Sequence, residues 1–463
     1  MKGKRVFIHT LGCPKNEVDS LFIAGELTKE GFEVVGKLSL ADAVILNTCG
    51  FLEDARLESL EELNFFIGLK EVKLIKKIIV TGCYAQRSAG WFVKTFPGVD
   101  AVVGNRDLRV IPSVLKRAFE GEEKIVEIPN AYSYWYSDET YLPSTYPFAY
   151  IKISEGCSNA CSYCVLPGIR GPARSIPIEQ IKKQIDHLVE LGFKELVLVA
   201  QDTGLYGADI YGKPLLPALL NEILRLQKDF WVRLLYVNPM SFDQEILNIM
   251  KRDPRLVHYL DLPIQHISDR ILKLMNRKID EAKQRKLIET IKTTLPDIAL
   301  RTTLLVGFPG ETDDDFESLV KFVEEGWFDH IGVFVYSREE GTPAYSIEDQ
   351  VPRPQAEHRR DILTIAAEEQ SHKKMQAMVG KTFPVLVETR SHGMLEGRLP
   401  YDAPQIDRIV VMKGNVPSGT FVDAKIKGFK SFTIYAEIIG KDKQIHQSDN
   451  DDNQLYGSDS GPN

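Results

Sequence analysis

Six cysteines, divided three and three, are the residues of this 463-residue chain best suited to chemistry. Cys157, Cys161 and Cys164 stand together in the run Cys-Ser-Asn-Ala-Cys-Ser-Tyr-Cys. Cys13, Cys49 and Cys83 are scattered, each behind an apolar run that ends in a small or polar residue. An iron–sulfur cubane usually takes four thiolates, one per iron. Three thiolates leave one iron open, and an open coordination position is how a metal site does chemistry rather than hold a fold. Two triads therefore predict two clusters, each with a free iron.

Plainer alternatives exist for both triads. A zinc site could occupy 157–164, but zinc sites usually pair Cys-x2-Cys units around four closed ligands. Here one unit offers three ligands and no nearby histidine. Cys13, Cys49 and Cys83 could be core residues, as free cysteines often are. Each, however, follows a strand-like run in the contexts Leu-Gly-Cys-Pro, Asn-Thr-Cys-Gly and Thr-Gly-Cys-Tyr, which is loop chemistry.

The elements that must position them follow from the apolar periodicity. In residues 1–140 the strand-like runs RVFIHT, DAVILNT, KKIIVTG and VDAVVG alternate with amphipathic stretches such as VDSLFIAGELTKEG, and a helix is predicted near Ile111–Phe119. Strand–helix alternation implies a parallel sheet. The cysteines lie 36 and 34 residues apart, about one strand–helix unit each. Ligands gather beyond the carboxyl ends of such strands, so three distant cysteines can converge at one sheet edge. Residues 120–145 suggest an ordered crossing or β-ribbon. FAYIKIS, ELVLVAQ, WVRLLYV, VHYLDLP, IALRTTLLVG and HIGVFVYS then give six βα units, fewer than the eight of a complete barrel. A partial barrel, open on one side, is expected, with the 157–164 loop at the top of its first strand. A polar helix over 351–378 follows. Five short strands over 379–440 suggest a small β-barrel of the OB type. The expected domains are 1–140, 141–378 and 379–440, with 441–463 a disordered acidic tail.

Net charge is −8, which argues against general electrostatic capture of nucleic acid without excluding a local basic patch. No run is long and apolar enough to span a membrane. The opening MKGKRVFIHTLG lacks the apolar stretch and cleavage site of a secretory signal. The expected compartment is the cytoplasm, where thiols stay reduced and free to bind metal.

The Cys157–x3–Cys161–x2–Cys164 loop resembles the radical S-adenosylmethionine superfamily. The resemblance implies a 4Fe–4S cluster whose open iron chelates the amino and carboxylate groups of S-adenosylmethionine. It implies that Tyr163 lies beside the adenine and that Gln201, Asp202 and Thr203 contact the amino group. It also implies that the turn Gly307–Phe308–Pro309–Gly310–Glu311 approaches the nucleoside. His266 could face the barrel mouth or pack beneath it. Arg170 and Arg174 could meet the methionine carboxylate, the substrate or a structural partner.

The order of the three parts resembles the methylthiotransferases over nearly all of 1–440. Segments such as LGCPKNEVDS, NTCGFLEDARLES, LVLVAQDTGLYG and VGFPGETDDDFESLVKFV are similar to the RimO branch. That branch acts on the β-carbon of an aspartate in small-subunit ribosomal protein S-twelve. The transfer-RNA branch typically has Gln where this chain has Pro14, so transfer RNA is the second choice of substrate. A non-catalytic iron–sulfur carrier is an alternative of another class. The resemblance implies two 4Fe–4S clusters, a reducing electron donor and a sulfur source. Cys157, Cys161 and Cys164 would hold the cluster that cleaves S-adenosylmethionine to a radical able to take hydrogen from an unactivated carbon. Cys13, Cys49 and Cys83 would hold an auxiliary cluster that carries sulfur, methylated by a second S-adenosylmethionine. The last barrel would be a TRAM domain presenting the substrate. Its eight Lys/Arg and six Asp/Glu are less acidic than a grip on a basic ribosomal protein would lead one to expect.

Overall fold

The computed structural model describes residues 3–130 and 146–439. The expected tail and most of the expected crossing over 120–145 lie outside the described residues.

The first unit runs β1 (Arg5–Thr10), α1 (Pro14–Lys29), β2 (Glu33–Val34), β3 (Ala43–Thr48), α2 (Glu53–Glu71), β4 (Lys77–Thr81), α3 (Gly82–Thr95), β5 (Ala101–Val103), α4 (Ile111–Phe119) and β6 (Ile125–Glu127). Its sheet has the order β2-β1-β3-β4-β5-β6, with every neighbouring pair parallel. β3 is buried along its whole length, as an apolar run covered on both faces must be. The three cysteine-bearing strands β1, β3 and β4 are adjacent. Their register aligns Thr10 with Asn47 and Asn47 with Thr81, so they end in one row. The edge strand β2 was not expected, and β6 falls within the segment 120–145 read as a crossing or β-ribbon. Each is only two or three residues long, too short for a periodicity to register.

The central unit begins with β7 (Phe148–Lys152), the two-residue strands β8 (Ser154–Glu155) and β9 (Arg174–Ser175), and between these the short α5 (Leu166–Arg170). It continues α6 (Ile178–Glu190), β10 (Glu195–Val199), α7 (Ala208–Tyr211), α8 (Leu216–Leu224), β11 (Trp231–Leu234), α9 (Glu245–Arg252), β12 (Leu256–Asp261), α10 (Asp269–Leu274), α11 (Glu281–Thr294), β13 (Ala299–Val306), α12 (Asp313–Glu324), β14 (His330–Val335) and α13 (Arg353–Met378). The sheet order β14-β13-β12-β11-β10-β7 is parallel throughout and leaves β7 and β14 as free edges. This is the expected open barrel. Ile181, Leu219, Ile246, Ile288 and Leu319 bring α6, α8, α9, α11 and α12 onto its outer face.

The last unit is a closed barrel of β15 (Thr382–Ser391), β16 (Met394–Arg398), β17 (Ile409–Lys413), β18 (Phe421–Lys430) and β19 (Thr433–Ile438), ordered β15-β16-β17-β19-β18. Its Leu386, Ala403 and Phe421 pack against Phe148, Tyr150, Trp231 and Tyr259 on the other face of the central sheet. Near the start of those strands Arg398 and Arg233 both hold Glu195, all three side chains being almost wholly buried. The carboxyl ends are left for the site. Among the described residues no helix is long and apolar enough to cross a membrane.

Candidate active site

Cys49 lies one residue beyond β3 and Cys13 three beyond β1 at the start of α1, but Cys83, expected on a loop, is buried in the first turn of α3, two residues beyond β4. Two glycines let the three cysteine-bearing segments touch. Gly12 has φ +92°, and a Cβ there would stand 2.8 Å from Cys49 Cβ and 3.0 Å from its Sγ. A Cβ on Gly50 would meet the backbone of Cys83 and Tyr84 at 2.6–2.8 Å. Cys49 is thus flanked by the segments of the other two cysteines, and its thiol feels the charges of Cys83 and Cys13. Cys157, Cys161 and Cys164 act on one another in the same way. All six thiols are free.

Among the described residues no three His, Cys, Asp or Glu side chains meet closely enough to hold a single ion. A cubane asks for a different arrangement, with each thiolate on its own iron. Two patches of three free, mutually close thiols fit that demand. Burial pushes the Cys49 and Cys164 thiols up to about 12 and raises Cys83 and Cys157 as well. Iron binding reverses that preference, because a metal ligand must be the thiolate. At Cys13 burial also opposes ionisation. Lys15, Arg170 and two backbone N–H groups outweigh it and hold the thiol below its usual pKa.

The two patches meet at α5. Val165 and Ile169 pack on Cys83. Arg170, at the end of the helix, donates Nε–H to Cys83 Sγ at 3.2 Å. Its other nitrogens reach Glu155 at 2.9 and 3.0 Å, Asp19 at 3.0 Å and Asn16 at 2.6 Å. Lys152 binds the same Asp19 and Glu155. These two cations hold Glu155 far below the usual carboxylate range against the cost of burial. The network ties α1 to the central sheet. A second tie runs from Arg56 and Arg87 to Glu339, just beyond β14. Between the ties lies a cavity of about 540 Å³ lined by Cys161, Cys164, Gln86, Arg87, Arg106 and Glu340. That size is ordinary for a small-molecule site.

The candidate S-adenosylmethionine contacts divide into free and committed groups. Gln201 donates Nε2–H to Glu155 at 2.8 Å, and its buried Oε1 has no partner, so it can accept from an ammonium. Asp202 is occupied by Asn159, Gly204 and Ser241, and Thr203 donates to the Leu235 carbonyl. Tyr163 meets the Gly307–Glu311 turn through Phe308, edge to face with ring centroids 6.5 Å apart. Pro309 is buried in the turn, and the Gly310 carbonyl accepts from Arg270 at 2.6 Å. Gly307 faces Ala356 of α13, and Glu311 accepts from Arg359 and from the Phe308 N–H. His266 packs beneath the mouth. It is fully buried, its Nδ1 accepts from the Ser268 N–H, and burial lowers its pKa to about 4. Arg174 donates to the carbonyls of Pro172 and Arg170.

Sequence reasoning overlooked Lys15, Asn16, Asp19, Lys152 and Glu155. A signal existed in α1. Asn16, Ser20, Ile23 and Leu27 share one helical stripe, so polar residues occupy the buried face at the end nearest Cys13.

Comparisons with known proteins support the same assembly. Residues 151–323 match the radical SAM superfamily, 5–104 an uncharacterized protein family (UPF0004) and 379–439 the TRAM domain. The ribosomal protein uS12 methylthiotransferase RimO of Clostridioides difficile is 39% identical over 94% of this chain and 99% of its own. Its namesake from Thermotoga maritima is 39% identical over 94% of this chain and 100% of its own. That from Syntrophus aciditrophicus is 40% identical over 95% and 99%. Among solved structures, the radical S-adenosylmethionine methyltransferase TsrM from Kitasatospora setae matches with a TM-score of 0.55, covering 86% of this chain and 81% of its own. The cobalamin-dependent radical enzyme OxsB matches at 0.51, covering 79% and 56%. At 14% and 13% identity these two likenesses speak for the fold alone.

Proposed function

The chain belongs to the ribosomal protein uS12 methylthiotransferase RimO family, and we propose that it adds a methylthio group to the β-carbon of an aspartate of uS12 with two three-cysteine 4Fe–4S clusters. Cys157, Cys161 and Cys164 would hold the cluster that works on S-adenosylmethionine, and Cys13, Cys49 and Cys83 the auxiliary one. When bound, these groups supply electron transfer, hydrogen-atom removal and sulfur delivery, which no side-chain acid or base can provide. The observation that carries the reading is the contact of the two thiol patches across α5. A carbon activated at one centre and sulfurated at the other must reach both without leaving the site.

The chain's own residues orient and enclose. Arg170 and Lys152 hold α1 against the central sheet. Gln201 Oε1 offers an acceptor to the amino group of S-adenosylmethionine. Tyr163 and the turn containing Gly307, Pro309, Gly310 and Glu311 form the wall for its adenosine, with Asp202 and Thr203 shaping the loop behind Gln201. In this division 1–140 is the auxiliary-cluster domain, 141–378 the S-adenosylmethionine domain and 379–440 the substrate-presenting domain. An electron donor and a sulfur source complete the reaction, in the cytoplasm where the ribosomal protein is made.

The test is anaerobic reconstitution with iron and sulfide. We expect about eight irons per chain, falling to about four when either triad is replaced by alanine. Cys13→Ala, Cys49→Ala or Cys83→Ala should still release 5′-deoxyadenosine while leaving a uS12 peptide unmodified by mass spectrometry. Cys157→Ala, Cys161→Ala or Cys164→Ala should abolish both. Methylthiolation that survives loss of the first triad, or that appears on transfer-RNA nucleosides instead of the peptide, would overturn the proposal.

A further inference from the structure

Lys15 is a buried cation that, among the described residues, has no ion-pair or hydrogen-bond partner. Its side chain belongs to a residue only 7% exposed. Nζ rests 3.6 Å above the Tyr236 ring. Among the described residues it has no carboxylate within ion-pair distance and no hydrogen-bond acceptor. Burying an ammonium without an anion is costly, and a ring face offsets only part of that cost. Of the other cations of this region, Lys152, Arg170 and Arg301 have carboxylate partners, while Arg277 has a carbonyl partner and an unpartnered Nε. Lys152 and Arg170 share Asp19 and Glu155. Arg301 faces Asp261 at 3.7 Å and Asp407 at 3.3 Å. Arg277 donates to the Pro263 carbonyl and acts on Tyr163, on the side of the 157–164 loop.

The position of Lys15 is as informative as its isolation. Its charge is felt at Cys13 of one triad and at Cys164 of the other, and also at Asp261. The ammonium is therefore within electrostatic reach of both candidate centres, at the Tyr236 ring face. Its support is built in. Tyr236 adopts a left-handed backbone with φ +62°, unusual for a bulky residue, and its N–H donates to Asp261 Oδ2 at 3.0 Å. Strain of this kind persists where the surroundings enforce it, and such places are commonly functional.

The inference rests on the aspartate reading of the substrate. The carbon that reacts must lie between the two centres, and in aspartate the carboxylate is bonded directly to that carbon. A cation that both centres feel is placed to meet that carboxylate when the carbon is in position. We propose that the Lys15 ammonium receives the side-chain carboxylate of the target aspartate and makes the enzyme selective for aspartate at the modified position. Lysine suits the task as a compact point charge on a long stem.

The test uses the holoenzyme with both clusters and two peptides of the uS12 target loop, one with the aspartate and one with asparagine in its place. Peptide binding is measured without reductant, so that no turnover occurs. The unaltered enzyme should bind the aspartate peptide about tenfold or more tightly than the asparagine peptide, since a desolvated charge pair distinguishes them. Lys15→Met should bring the ratio to about one. Lys15→Gln, which can pair with an amide, should favour the asparagine peptide, a gain that damage to the fold does not produce. Electron paramagnetic resonance reports whether both clusters remain. The proposal is overturned if either variant keeps the aspartate preference, if both peptides weaken together, or if affinity for S-adenosylmethionine falls while the peptide ratio stays the same. A wild-type enzyme that neither binds nor modifies the aspartate peptide would instead remove the underlying reading.

Discussion

Arg170→Met should loosen the first unit from the central one and uncouple the two chemistries. Arg170 and Lys152 balance Asp19 and Glu155 in a cluster nearly closed to solvent. Methionine fills much of the space but leaves two carboxylates to one ammonium. Removing one member of a buried pair costs about 3–5 kcal/mol, because the remaining charge is stranded. The loss falls on the interface, since Asn16 and Asp19 belong to α1 whereas Glu155 and Arg170 belong to the central unit. The first urea transition should therefore move by that amount. Adding Asp19→Asn restores one positive to one negative charge and should recover roughly half of the loss. In the loaded enzyme, release of 5′-deoxyadenosine should survive better than methylthiolation, because only the second needs both centres in register. A loss below about 1 kcal/mol would refute the reasoning, as would a double variant weaker than the single one.

Burial pushes the Glu17 carboxyl on α1 up to about 7. Its folded-state pKa is raised, so the chain keeps this proton longer when folded than when unfolded. The resulting stability is full below about pH 4.5 and is lost as pH rises through about 7, up to about 3 kcal/mol before solvent screening of this partly exposed group. Glu17→Gln should flatten that slope in urea midpoints taken across the range, and an unchanged slope would assign it elsewhere. Arg398→Met should strand the buried Glu388 and leave Glu195 with Arg233 alone, at a cost of about 3–5 kcal/mol at the seat of the C-terminal barrel. Limited proteolysis should then cut residues 379–439 several-fold faster, whereas an unchanged rate would mean that apolar packing alone seats the barrel.

Most of the scaffold was legible from periodicity. The six strands of the central sheet and the five of the last barrel are long enough, and regular enough in burial, to register. The convergence of Cys13, Cys49 and Cys83 was legible for the same reason, since parallel strands share one carboxyl end. The network behind them was not. Arg170 meets Asp19 across 151 residues and Arg398 meets Glu195 across 203, separations at which no local pattern carries information. Composition misled in the last barrel for a related reason. Arg398, Arg408, Glu388 and Asp402 are buried, and the side chain of Asp407 is only 3% exposed. Lys381, Arg390, Lys413, Lys425, Lys427 and Lys430 face outward against Glu396, Asp423 and Glu437. The exterior of this barrel is thus more basic than the nearly balanced sum suggests, and it does not present the acidic surface expected for gripping a basic protein.

The spacing of the two candidate centres depends on α5 more than on any other element. The helix starts two residues after Cys164 and ends at Arg170. At about 1.5 Å per residue it spans little more than one turn. Val165 and Ile169 are four residues apart and so share a face, and that face lies on Cys83. A one-residue slip would rotate the helix by about 100° and take both side chains off the cysteine. Apolar packing alone tolerates some sliding, because the hydrophobic effect has no direction. The guanidinium of Arg170 does not. Its planar fork must meet Glu155, Asp19 and Cys83 together, which admits one rotation of the helix. An apolar residue of similar volume could match the stability of such a buried charge cluster but not its directionality. The charges at this interface are therefore best understood as fixing register. Two centres that must share one substrate carbon need a fixed separation, and a rigid helix turn pinned at its end by directional bonds provides it.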